Sequence, residues 1–124
     1  MKIKVSRATN IQIDWLVAKC KGTVKNMLCG HGDISYTPHL SAPSIREYWR
    51  PSENWAQGGP ILTSEHISRT IDHSGLWIAY WSDGYTEGDE GKKWMQCDRS
   101  ELVAGLRCYV ASELGEEVEV PDDL

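Results

Sequence analysis

Between Ser100 and Gly115 the chain reads Ser-Glu-Leu-Val-Ala-Gly-Leu-Arg-Cys-Tyr-Val-Ala-Ser-Glu-Leu-Gly, and no other stretch narrows the possible folds as far. Leu102, Leu106, Tyr109, Val110 and Leu114 recur at helical spacing, which predicts a helix with one apolar stripe. Asp98 places an acceptor at its start, Glu101 a carboxylate three residues on, and Gly115 a stop. Such a stripe has to be buried, and the preceding residues supply a sheet to bury it on. Ile67 to Ile71 alternates as a strand does, Asp72-His73-Ser74-Gly75 reads as a turn, and Leu76 to Trp81 forms the second arm of a hairpin. Lys92 to Cys97 is expected to add a third antiparallel strand.

Toward the amino terminus, Thr9 and Gln12 match a capping box, with Ile13, Trp15, Leu16, Val17 and Cys20 on the apolar face of a helix ending near Gly22. Thr23 to Leu28 reads as a further strand, and residues 21–51 otherwise carry little periodicity. Ser52 can cap a short helix through Trp55 and Gln57, which Gly58-Gly59-Pro60 should end or distort. The sum is an α+β domain: an antiparallel sheet of three to four strands packed with two to three helices.

At 124 residues the chain is read as one domain, 1–124, burying roughly two-thirds of its unfolded surface. The longest apolar run, Leu76 to Trp81, is far too short to cross a bilayer, and no basic and apolar leader precedes Ile11, so a cytoplasmic location is expected. Glu116, Glu117, Glu119, Asp122 and Asp123 give an acidic tail at about 116–124, and the body outside it carries 13 acids against 13 bases. A neutral body argues against sequence-nonspecific binding of a nucleic-acid duplex. Cys20 and Cys108 fall on apolar stripes as small hydrophobes. Cys29 and His31, with Cys97 or His39, offer metal ligands only at weak spacing, so neither metal nor cofactor is expected. His66 is isolated, and the Asp72-His73 pair belongs to a turn, so no catalytic residue is assigned.

The stretch from Arg46 to Pro60 carries most of the recognition chemistry: two tryptophans, a tyrosine, two arginines and an asparagine. Flat aromatic faces beside guanidinium groups suit a planar, anionic ligand. A base stacked on tryptophan or tyrosine gains ~1–3 kcal/mol, and a bidentate arginine holds a phosphate. Tyr48, Trp49, Arg50, Asn54 and Trp55 are candidate ligand contacts, joined by Tyr80 on the hairpin and Arg107 on the last helix. Against this stand ordinary structural roles. Trp15, Trp77 and one of Trp49 and Trp55 can fill the core, Asn54 can cap a helix, Arg46 and Arg50 can pair with Glu47 and Glu53, and the Arg107 stem can cover apolar surface.

Three segments, Asp14 to Cys20, Pro51 to Leu62, and Leu106 to Ser112 with Gly115 to Pro121, resemble the NinX-like family of small tailed-phage and prophage proteins. The match covers roughly a third of the residues, in order along the whole length. The order of elements is also similar to that of the phage ABA-sandwich proteins, some of which are Thoeris-type anti-defence sponges. That broader resemblance implies an accessory protein of the infected cell that sequesters a cyclic ADP-ribose-like or cyclic oligonucleotide signal without cleaving it, and six tryptophans in so small a domain point to a homo-oligomer with the site at its interface. It also implies Arg107 as a ligand-binding arginine and Tyr80 or Trp81 as a base-stacking residue. The Gly58-Gly59-Pro60 break departs from a continuous second helix. The alternative is a module that docks on a host protein through the Arg46–Pro60 aromatics. An enzyme fits less well, because a phosphate-binding glycine loop and a nucleophile motif are both missing from the sequence.

Overall fold

A computed structural model of the chain describes residues 1–21, 23–25, 33–35, 49–82, 92–122 and 124. Chain order is β1 (Lys2–Lys4), a 3-10 turn (Val5–Arg7), α1 (Asn10–Lys21), β2 (Thr23–Lys25), β3 (Asp33–Ser35), α2 (Trp55–Ser64), β4 (Ser68–Ile71), β5 (Trp77–Ser82), β6 (Lys92–Asp98), α3 (Glu101–Leu114) and β7 (Glu117–Glu119). The α+β reading stands. Among the described residues the strands form an antiparallel three-stranded sheet, β4-β5-β6, and two antiparallel pairs, β1-β7 and β2-β3.

The hairpin follows from its turn. Asp72 Oδ1 accepts from Ser74 N at 2.8 Å, Ser74 Oγ at 2.6 Å and Leu76 N at 3.0 Å, while Gly75 takes a φ of +89° that a side chain would resist. Three acceptor contacts fix the reversal, so Ile71 meets Trp77 and Ser68 meets Tyr80. On β6, Gln96 pairs with Ala79 and Met95 with Tyr80. Alternation then separates the faces. Arg69, Ala79 and Gln96 turn toward α3, where Arg69 Nε donates to Glu101 Oε1 at 2.9 Å. Ser68, Tyr80 and Met95 turn the other way, and Met95 is 55% exposed.

The expected stripe of α3 is buried at Leu102, Leu106, Tyr109 and Val110, whereas Leu114 is exposed. Its cap differs from the expectation. Ser100 is the N-cap, its hydroxyl accepting from Val103 N at 3.3 Å, and Asp98 instead accepts from Ser100 N at 2.8 Å. Asp98 still closes β6, so it cannot also leave the strand to start the helix. At the other end Gly115 (φ +90°) ends α3 as expected, its N–H donating to Ala111 O. The capping box of α1 is present in both directions: Gln12 N donates to Thr9 Oγ1 at 3.3 Å, and Thr9 N donates to Gln12 Oε1 at 2.9 Å.

The second helix overturns the expectation of a break. α2 runs through Gly58, Gly59 and Pro60 to Ser64 and is capped by Asn54, not Ser52, with Asn54 Oδ1 accepting from Ala56 N at 2.9 Å. A Cβ on Gly58 would run into the Pro51 carbonyl and lie 2.8 Å from Leu102 Cδ2, so glycine lets the helix press against both. Pro60 forfeits one helical bond, to Ala56, but both residues lie on the exposed side, where water can take the carbonyl. The buried side of α2 places Leu62 on Gly105 of α3, where a Cβ would come within 2.7 Å of both Leu62 methyls. Both α1 and α2 thus pack on α3, which lies on the three-stranded sheet. The core joins Val5, Ile13, Leu16, Leu62, Leu106 and Val110.

Candidate functional site

The first turn of α1 sets Asn10 and Asp14 one above the other, at the i, i+4 spacing that shares a helix face. The segment 49–54 folds across this face and is fastened to it. Trp49 Nε1 donates to the Asp14 carbonyl at 2.9 Å, Ser52 N donates to Asp14 Oδ1 at 2.8 Å, and Ser52 Oγ reaches the Asn10 carbonyl at 3.5 Å. A further bond from Arg50 N to Gln57 Oε1, at 2.7 Å, ties the segment to α2. Between helix and segment lies an open cleft of about 260 Å³ lined by Asn10, Ile11, Asp14, Arg50 and Glu53.

Asp14 is the unusual member. It is 2% exposed, and burial pushes its carboxyl up from 3.8 to about 7. Hydrogen bonds from Ser52 oppose the rise, the Glu53 charge adds to it and the Arg50 charge opposes it. A carboxyl balanced between its two protonation states at the wall of a cleft is a recurrent mark of functional sites. Arg50 is exposed and, among the described residues, forms no ion pair with Glu53. The cleft is therefore lined by a guanidinium, an amide and two carboxyls, of which Asp14 is almost wholly buried.

The candidates read from sequence are distributed over the molecule. Of the described ones, Arg50 lines the cleft. Trp49 is buried behind it, fixing the Asp14 backbone, and Asn54 caps α2. Trp55 is 51% exposed on the first turn of α2, with its ring edge lying against Gly59. Tyr80 sits on the sheet face turned away from α3. Arg107 points inward. Its Nη1 donates to Asp98 Oδ1 at 3.0 Å and the Cys97 carbonyl at 3.2 Å, and its Nη2 donates to the Ala8 carbonyl at 3.0 Å. Those bonds hold α3, the end of β6 and the start of α1 together. Tyr48, Arg46, Cys29, His31 and His39 lie outside the described residues.

Sequence reasoning missed Asn10, Asp14 and Glu53 as a group. The one signal available was a carboxylate at position 14 within the apolar run Ile13, Leu16, Val17, a place where an unpaired charge is expensive. A second cleft, of about 310 Å³, lies among Lys4, Ser6, Met95, Gln96, Cys97 and Glu116, where Cys97 is an exposed thiol. Burial pushes the other described thiols, Cys20 and Cys108, up to about 12, which disfavours the thiolate form. Among the described residues no group of three or more His, Cys, Asp or Glu side chains is placed to hold a metal ion.

Compared with known families, residues 4–113 match the model of Bacteriophage P22, NinX. The chain belongs to the bacteriophage P22 NinX family. The NinX match runs from the end of β1 to the last turn of α3, so it takes in both the cleft and the Arg107 clamp. No curated protein matches the chain. Among the described residues, no helix is long and apolar enough to cross a membrane.

Proposed function

We propose that this NinX-family chain is a phage accessory protein that binds and sequesters a small nucleotide signal of host defence, without catalysis, in the cytoplasm of the infected cell. The observation that carries this reading is the cleft beside Asp14. It sets the exposed Arg50 guanidinium, suited to a phosphate, next to amide and carboxyl groups suited to the edge of a base. The resemblance to the anti-defence sponges that the order of elements in the sequence implies would agree with this use. At about 260 Å³ the cleft is smaller than the ~300–1,000 Å³ of sites that enclose a whole drug-sized ligand. On this reading it takes one base, and the rest of the ligand is held by a second copy in a homo-oligomer. Thermal denaturation against a panel of cyclic nucleotides should show a rise of several degrees with one of them, and that ligand should be recovered intact after denaturation. No shift across the panel would remove the proposal. Recovery of a cleaved product would instead make the chain an enzyme.

A second reading is favoured by Trp55, half-exposed beside the Arg50 turn, since tryptophan and arginine dominate protein-binding hot spots. On that reading Trp55→Ala abolishes retention of one stoichiometric host protein in a pull-down while changing stability by less than ~1 kcal/mol. An unchanged pull-down would reject it.

A further inference from the structure

We propose that the cleft at the outer edge of β6 accepts an extended peptide segment of another protein, which joins the sheet as an added strand. This cleft shares no lining residue with the one beside Asp14.

The hydrogen-bond ladder decides which backbone groups are on offer. Asp72 N donates to Leu76 O at 2.9 Å, so Leu76 and, by alternation, Ile78 and Tyr80 turn their backbone groups toward β4. Trp77, Ala79 and Trp81 then turn theirs toward β6, where they meet Asp98, Gln96 and Trp94. Met95 and Cys97 therefore direct N–H and C=O away from the sheet. The Cys97 carbonyl agrees with this, since it accepts from Arg107 Nη1 at 3.2 Å. Among the described residues, nothing bonds to the Met95 N–H, the Met95 carbonyl or the Cys97 N–H. β1 presents a second edge of the same kind. Val120 N donates to Met1 O and Val5 N to Glu116 O, so Met1 and Val5 face β7 and Lys4 faces away from it.

Both edges contribute to one open cleft of about 310 Å³, with Lys4 and Ser6 from the first, Met95, Gln96 and Cys97 from the second, and Glu116 beside them. Successive side chains of a strand leave on opposite faces, so three consecutive residues share only their backbone edge. The cleft follows that edge. Gln96 adds a polar side chain: it is 7% exposed, and among the described residues its amide has no hydrogen-bond partner. Nor is that amide sealed in, because the sealed and unpartnered side-chain atom among the described residues is Arg107 Nε. It therefore opens on the cleft it lines.

A row of unpaired N–H and C=O groups is a template for another strand, and an extended peptide carries the same groups at the same spacing. Edges are ordinarily blunted by charge, proline or a bulge, whereas Met95-Gln96-Cys97 carries neither charge nor proline. Lys4 and Glu116 are exposed and form no ion pair among the described residues, so the partner segment is one that brings an acidic and a basic side chain to them.

The test uses the full chain, a random-peptide display library as the probe, and amide hydrogen exchange. Alone, the chain should exchange the Met95 and Cys97 amides faster than that of Gln96, which the ladder protects. A selected peptide should slow the Met95 and Cys97 amides at least ~10-fold, and methylating alternate nitrogens of that peptide should abolish binding for one set and spare the other. Met95→Pro removes an outward N–H and no ladder bond, so the variant, shown folded by its thermal transition, should bind the peptide ~10-fold more weakly. Exchange in the unaltered chain decides the matter if that variant does not fold. Recovery of no peptide, or protection confined to amides elsewhere, overturns the proposal. Met95 and Cys97 amides already slow in the monomeric chain also overturn it, since the edge would then be paired within the molecule. Protection that grows with protein concentration alongside a dimer mass gives the edge to a second copy and overturns the foreign peptide as its occupant.

Discussion

Asp14 and Arg107 show at the scale of single residues how the same sequence signal, a charged side chain on an amphipathic helix, ends in opposite roles. Asp14 is a cost to the fold. Below pH ~4 its carboxyl is protonated both folded and unfolded and contributes nothing to the balance. As pH rises from 3.8 toward about 7, the unfolded chain releases the proton while the fold retains it, so stability falls; above about 7 the loss is complete. At ~1.4 kcal/mol per pKa unit, the penalty reaches roughly 4 kcal/mol at most. Asp14→Asn is therefore expected to raise the unfolding free energy by roughly 1–4 kcal/mol at pH 8 and by almost nothing at pH 4. Urea denaturation across that range measures it, and a variant that is equally affected at both ends would refute the account. Arg107 is the reverse case. Its guanidinium satisfies two carbonyls and the Asp98 carboxylate, so Arg107→Ala leaves acceptors without donors and should cost ~2–4 kcal/mol. A variant of wild-type stability that fails to bind ligand would make Arg107 a ligand contact instead.

At the scale of elements, α2 is the instructive one. Read locally, Gly58-Gly59-Pro60 is a terminator, because glycine is entropically costly in a helix and proline removes a donor. In the fold the helix continues, because its close seat on Pro51 and α3 admits no side chain at 58. Gly58→Ala is expected to destabilise by more than ~2 kcal/mol, although alanine is the better helix former in isolation. Circular dichroism melting separates the two effects: a rise in melting temperature would show that propensity governs this site. Asn54→Ala should cost a smaller amount, ~1 kcal/mol, through the lost cap.

At the scale of the whole molecule, the two ends of the described chain support each other. β1 pairs with β7 so that Ile3 meets Val118, and Val120 N donates to the Met1 carbonyl at 2.9 Å. Val118 and Val120 are buried in the same core as Ile13 and Leu106. Glu116, Glu117, Glu119 and Asp122 lie at the surface while Val118 and Val120 are structural. Removing residues 117–124 takes away the β1 partner and both valines. The expected loss is several kcal/mol, on the order of 2 for each buried aliphatic side chain, read as a lower denaturant midpoint. A truncated chain with an unchanged midpoint would show that β7 is dispensable.

Much of the fold was legible because its signals are local. The Thr9–Gln12 box, the Asp72 turn and Gly115 each act on groups within a few residues of themselves, and alternation in 67–81 sets the hairpin register. The cap of α3 was misplaced by two residues because Asp98 and Ser100 are both good acceptors, and only the strand that holds Asp98 decides between them. The cleft was hardly legible at all. Asp14 becomes a near-neutral buried carboxyl only when Trp49 and Ser52, more than thirty residues away in sequence, close over it. The direction in which Arg107 points depends equally on the Ala8 carbonyl at the far end of the chain. Sequence by itself determined the α+β class, the sheet and the family pattern, since these follow from periodicity and short-range capping. Tertiary structure decided that α2 continues, that Arg107 turns inward and that Asp14 faces a cleft, since each depends on contacts between distant segments.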